Sequence, residues 1–155
     1  MWARAVSVAL LLAVALGAEG LSSGIDLTGT WNGVIPGRGR RLASDIAFQF
    51  VQDGPRLSGK MYGDGPGSPI LDGRVDAHGN VRFIVETREQ AGNQINDVRY
   101  RFEGVLCDGL IEMTRERAFA RDAVSGVVIP VRRPSDSPIE DRQRRFRHFA
   151  LERLF

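Results

Sequence analysis

From Leu27 to about Arg133 the chain alternates apolar and polar residues in short runs, each ended by a cluster of glycine, aspartate or proline. A period of two places every second side chain on one face of an extended segment, so these runs are expected to form strands with one buried face. Ile46, Phe48 and Phe50 share a side, with Asp45, Ala47 and Gln49 between them. Val81, Phe83 and Val85 alternate with Arg82, Ile84 and Glu86, and Val98, Tyr100 and Phe102 alternate with Arg99, Arg101 and Glu103. Asp53-Gly54-Pro55, Asp76-Ala77-His78-Gly79-Asn80 and Cys107-Asp108-Gly109 supply residues that accept the backbone angles of tight hairpins.

About eight strands follow, near residues 28–35, 44–52, 56–62, 70–75, 81–87, 95–106, 110–117 and 126–133. Short strands joined by tight turns are antiparallel neighbours, and closing them into a barrel removes the exposed edges. The predicted fold is all-β: a small antiparallel up-and-down barrel. Its inward positions include Trp31, Phe48, Phe50, Leu57, Met61, Leu71, Val75, Val81, Phe83, Val85, Tyr100, Phe102, Ile111 and Met113. Cys107 is the only cysteine, so no disulfide within the chain supports the domain. A core that must carry the stability alone has few side chains to spare for a large cavity, so a mostly filled interior is expected.

The flanks differ from this body. Arg4 precedes an unbroken small and apolar stretch from Ala5 to Ala18, the pattern of a cleaved secretory signal, and residues 1–20 are assigned to it. No cysteine follows to take a lipid anchor, so a secreted or periplasmic location is expected. The barrel is assigned to residues 21–134 and a basic tail to 135–155. From Arg132 onward seven arginines face four acids, leaving the mature body near −1. A body of that charge offers no broad basic face for nucleic acid.

Ser137-Pro138-Ile139-Glu140 reads as a helix start, with a capping serine, proline in the first turn and glutamate three residues after the cap. Phe146, Phe149, Ala150 and Leu154 then recur at helical spacing, so the tail is predicted to be an amphipathic helix. Arg144, Arg145, Phe146 and Phe149 are its candidate interaction residues, toward a protein partner or, peripherally, an anionic membrane. The runs are too short and their outward positions too charged for an outer-membrane barrel, so an integral membrane protein is not expected.

Leu27-Thr28-Gly29-Thr30-Trp31-Asn32 opens the first strand, and its G-x-W resembles the opening of the calycins, the lipocalins, fatty-acid-binding proteins and avidins. The resemblance implies that Trp31 closes one barrel end and that an arginine near the last strand, Arg132 or Arg133, packs across it. The pattern from Leu27 to Arg133 is similar to small lipocalin-like β-domains of secreted bacterial proteins of unassigned function. Arg56-Leu57-Ser58-Gly59 resembles their glycine-rich hairpin. The chain departs from avidins in keeping Trp31 as the sole tryptophan after signal removal, and from lipocalins in lacking their further motifs and disulfide. A short basic loop from Pro36 to Arg41 replaces the helical pair of fatty-acid-binding proteins.

Catalytic signatures are missing. His78 falls in a turn and His148 in the tail, with no G-x-S-x-G, H-E-x-x-H or C-x-x-C. Gly63-Asp64-Gly65-Pro66-Gly67-Ser68-Pro69 lacks the Gly-Lys-Ser/Thr and helix start of a phosphate loop and reads as a hairpin loop. Arg38-Gly39-Arg40-Arg41 is a basic rim loop. No catalytic residue, metal ligand or cofactor is assigned. The expected function is an exported non-enzymatic binding or interaction module. The alternatives are a carrier of a small hydrophobic molecule in the barrel mouth, walled by Trp31, Phe50 and Tyr100, and a hydrolase built on the rim.

Overall fold

Alternation becomes a closed wall in the computed structural model, which describes residues 24–37, 42–63, 66–130 and 148–155. Eight antiparallel strands follow in chain order: β1 Gly29–Ile35, β2 Ser44–Asp53, β3 Arg56–Tyr62, β4 Ser68–Val75, β5 Asn80–Ala91, β6 Gln94–Cys107, β7 Leu110–Asp122 and β8 His148–Arg153. Each pairs with its sequence neighbours, and β8 pairs with both β7 and β1 to close the ring. The tight hairpins after β2, β4 and β6 share one end of the barrel with the start of β1 and the end of β8. The opposite end carries the connections after β1, β3, β5 and β7.

The first seven strands fall where the alternation puts them. The eighth does not. Val128 makes a single bridge to Arg121 and Ile129 N–H donates to the Ala120 carbonyl at 2.9 Å, but no full strand forms there among the described residues. Pro130 has no N–H with which to extend the ladder. His148–Arg153 takes the place of the eighth strand, which corrects the expected helix over this stretch and brings part of the presumed tail into the barrel. Phe149 and Leu151 point inward at 5% and 0% exposure, a period of two. The unpaired edges of β1 and β7 each need a hydrogen-bonding partner, and one short strand serves both. The helix start at Ser137, with Arg132, Arg133, Arg144, Arg145 and Phe146, lies outside the described residues.

Two glycines permit the wall to close tightly. A Cβ on Gly33 would lie 2.4 Å from the Ala150 carbonyl oxygen across the β1–β8 seam. Gly59 has φ +134°, and its Cβ would lie 1.8 Å from the Gln49 carbonyl oxygen. One irregularity shifts a side chain away from its expected face. Asp72 adopts φ 52° where the β4 register slips, so Ile70 and Val75 point inward while Leu71, expected inside, is turned to solvent.

Candidate functional site

The interior is organised from its middle. Phe48, Phe50, Phe83 and Phe102 continue the inward parity of β2, β5 and β6, and each is at most 2% exposed. Phe48 and Phe102 stand on strands four apart in a ring of eight, hence on opposite walls, yet their ring centroids are 5.4 Å apart. Phe83 stacks on Phe102 at 4.9 Å and meets Phe48 edge to face at 5.3 Å. At this level phenyl rings span the barrel from wall to wall, as the width of an eight-stranded barrel allows.

Trp31 closes the hairpin end. Its indole N–H donates to the Leu27 carbonyl at 2.8 Å, and Leu27 is itself wholly buried. Gln52 fixes this entry segment: its side-chain oxygen accepts the Leu27 N–H at 2.9 Å and its amide donates to the Ile25 carbonyl at 3.1 Å. An arginine does cover Trp31, and it is Arg153 of β8, with its guanidinium 4.9 Å from the ring centroid and a hydrogen bond to the Asp26 carbonyl.

The other end is polar. Beyond Val85 on β5 the inward parity reaches Glu89; beyond Val98 on β6, toward the hairpin, it reaches Asn96. Beyond Met113 on β7 it reaches Arg115 and Arg117, before a bulge restores Ala120 to the inside. Glu89, Arg115 and Arg117 gather around Tyr100. The Tyr100 hydroxyl donates to one carboxylate oxygen of Glu89, and Arg117 donates to the other. Burial pushes the Tyr100 phenol above its usual range, and the Glu89 carboxylate adds to the shift, while Arg115 opposes it. The phenol therefore stays neutral and remains a donor. Arg115 lays its guanidinium over the Tyr100 ring, 4.6 Å from the centroid, and has no carboxylate partner among the described residues.

Asn96 stands directly opposite Glu89 in the β5–β6 register and is 5% exposed. Its Oδ1 accepts no hydrogen bond among the described residues. A buried polar atom of that kind marks either a strained position or a place for a missing partner. Glu89 and Arg117 keep about a third of their side-chain surface, 29% and 36%, so solvent reaches this end.

The three candidate wall residues are all inward: Trp31 stands opposite Phe48 in the β1–β2 ladder, Phe50 belongs to the phenyl layer, and Tyr100 adjoins that layer at Phe102 with ring centroids 6.2 Å apart while its hydroxyl meets the polar end. Phe149, a candidate for outside contacts, is buried in the core instead. Glu89, Asn96, Arg115 and Arg117 were not singled out from the sequence, although a signal existed: each is a polar residue on the buried parity of its strand.

Among the described residues no three His, Cys, Asp or Glu side chains gather as metal ligands, and no helix is long and apolar enough to cross a membrane. The chain matches no protein-family model, no curated protein and no solved structure.

Proposed function

We propose that this chain is an exported, non-enzymatic binding module of lipocalin-like build, which holds a small ligand at the Tyr100 end of its barrel. The observation that carries this reading is the polar group of Glu89, Arg115 and Arg117 around Tyr100, with the buried Asn96 opposite Glu89 in the ladder, set on the inner face where a barrel needs only apolar filling. Burying charges costs free energy that a purely structural core avoids, and this cost is concentrated at one end. The phenyl layer beneath it supports a shallow site over a deep channel. The covered Trp31 at the opposite end is the feature that most supports the lipocalin-like assignment.

Native mass spectrometry of the mature chain, purified from the compartment that receives it, tests the reading. A small non-lipid mass is expected on the wild type and on Arg153→Ala, and is expected to be lost from Arg117→Ala. A retained lipid-sized mass would favour a hydrophobic carrier, and a co-purifying protein without any small mass would favour a protein-interaction module.

A further inference from the structure

We infer that the outer wall docks an acidic helix of a partner protein across β3, β4 and β5, on a row of three arginines separate from the Tyr100 end. Arg56, Arg74 and Arg82 are exposed and outward by the parity of their strands. Arg74 stands directly opposite Arg56 in one ladder and directly opposite Arg82 in the next. Like charges so placed have Cβ atoms about 4.5–5.5 Å apart and destabilise a sheet. Wherever else two charges face each other in the described ladders they are opposite in sign, as in Glu86 with Arg99 and Asp97 with Arg88 and Arg121. None of the three arginines makes an ion pair among the described residues. Asp72 and Asp76 flank Arg74 in sequence without pairing with it, and Asp76 accepts instead from the backbone N–H groups of His78 and Asn80. The row depends on the β4 bulge. Leu71 pairs with Ile84 and Arg74 with Arg82, so an unbroken register would set Gly73 opposite Arg82. The slip at Asp72 that returns Val75 to the interior therefore also sets Arg74 between two arginines.

The ends of the row set the kind of partner. Asp53 faces Arg56 on one side and Glu103 faces Arg82 on the other. From β2 to β6 the surface thus reads acid, three bases, acid. A nucleic acid, an acidic glycan or an anionic membrane repeats one sign of charge and would bring its next negative group onto one of those carboxylates. Single-stranded nucleic acid also stacks its bases on aromatic side chains, and the row holds none. A protein segment can change sign at each end, with three acids between two bases. Its geometry favours a helix. Neighbouring strands lie about 4.7–4.9 Å apart, so the three arginines span about 10 Å. Carboxylates at i, i+4 and i+7 of a helix share one stripe, with neighbours about 5–6 Å apart and the outer two about 10.5 Å apart along the axis. An extended segment repeats same-face side chains about every 6.7 Å and overruns the row. Each guanidinium then offers its planar fork to one carboxylate.

NMR titration of the full mature chain tests the inference, at low ionic strength because exposed ion pairs are individually weak and screened by salt. The probe is an alanine-based helical peptide with glutamates at i, i+4 and i+7 and a lysine one turn beyond each end. Its control has the same composition with the glutamates spread around the helix. The striped peptide is expected to shift the amides of Arg56, Arg74 and Arg82 and to bind at least about tenfold more tightly than the control. Arg74→Glu is expected to weaken it by at least about tenfold through like-charge contact. Arg74→Ala is expected to leave the Tm unchanged or raise it, since it relieves the facing arginines. A Tm lower by more than about 2 °C would show that the row serves the barrel itself and would overturn the inference. Equal binding of the two peptides, or no shift at these three amides, overturns it as well, and this wild-type comparison stands even if a variant fails to fold. Citrate, a heparin-type oligosaccharide, oligo-dT or anionic vesicles matching the striped peptide at the same amides would overturn the partner class.

Discussion

The guanidinium of Arg153 lies over the indole of Trp31, 4.9 Å from the ring centroid, and so joins the last strand to the first across the barrel seam. The same pair is in register in the ladder, Trp31 opposite Arg153. Closure and capping of the hairpin end are thus one event. Trp31→Ala is expected to cost about 3–5 kcal/mol, as for other buried large aromatics. Arg153→Ala is expected to cost only about 0.5–1 kcal/mol, since that side chain is exposed. Denaturant melts measure both, and a Trp31→Ala loss below about 1 kcal/mol would contradict the assigned role.

The β8 segment is expected to be indispensable. Ending the chain at residue 147 removes the partner of both β1 and β7 and should abolish the cooperative melt. Leu151→Ala, at a wholly buried site, should cost about 2–5 kcal/mol in the same assay. An appended helix over these residues would instead leave the barrel melting unchanged.

Acid should loosen the turn after β7. Asp122 is held at about 2, below its usual 3.8, by the Ser125 backbone N–H, the Gln94 side chain and the Ser125 hydroxyl. A carboxylate whose folded value is depressed contributes stability that is fully present above the unfolded value and is lost as pH falls through the folded one. That contribution should therefore fade between about pH 4 and pH 2. Thermal melts across that window should show a smaller drop for Asp122→Ala than for the wild type, and parallel curves would contradict the turn's role.

Most of the wall was legible because period two and turn chemistry agree from β1 to β7. The failure at β8 has a local cause. Phe146, Phe149, Ala150 and Leu154 fit a helical stripe, whereas Phe149 and Leu151 fit an alternating one, and six residues give too few positions to separate the two. What decides is the pair of open edges on β1 and β7, which exist only once the other strands are placed. Leu71 was misplaced because nothing in Leu71-Asp72-Gly73 announces which residue will bulge. The Tyr100 end was half legible: the tyrosine stood out as an inward aromatic. Its polar neighbours required the inward parity to be followed past the last apolar residue of β5, β6 and β7.

The proposed rim site requires a barrel that is filled at its middle, polar at one end and unable to enclose a chain. Titration of the mature protein with a fluorescent long-chain fatty-acid analogue tests this most directly. The contact between Phe48 and Phe102 predicts no saturable one-to-one binding below about 10 μM, a level that corresponds to about −7 kcal/mol. Sub-micromolar binding with one-to-one stoichiometry would contradict it.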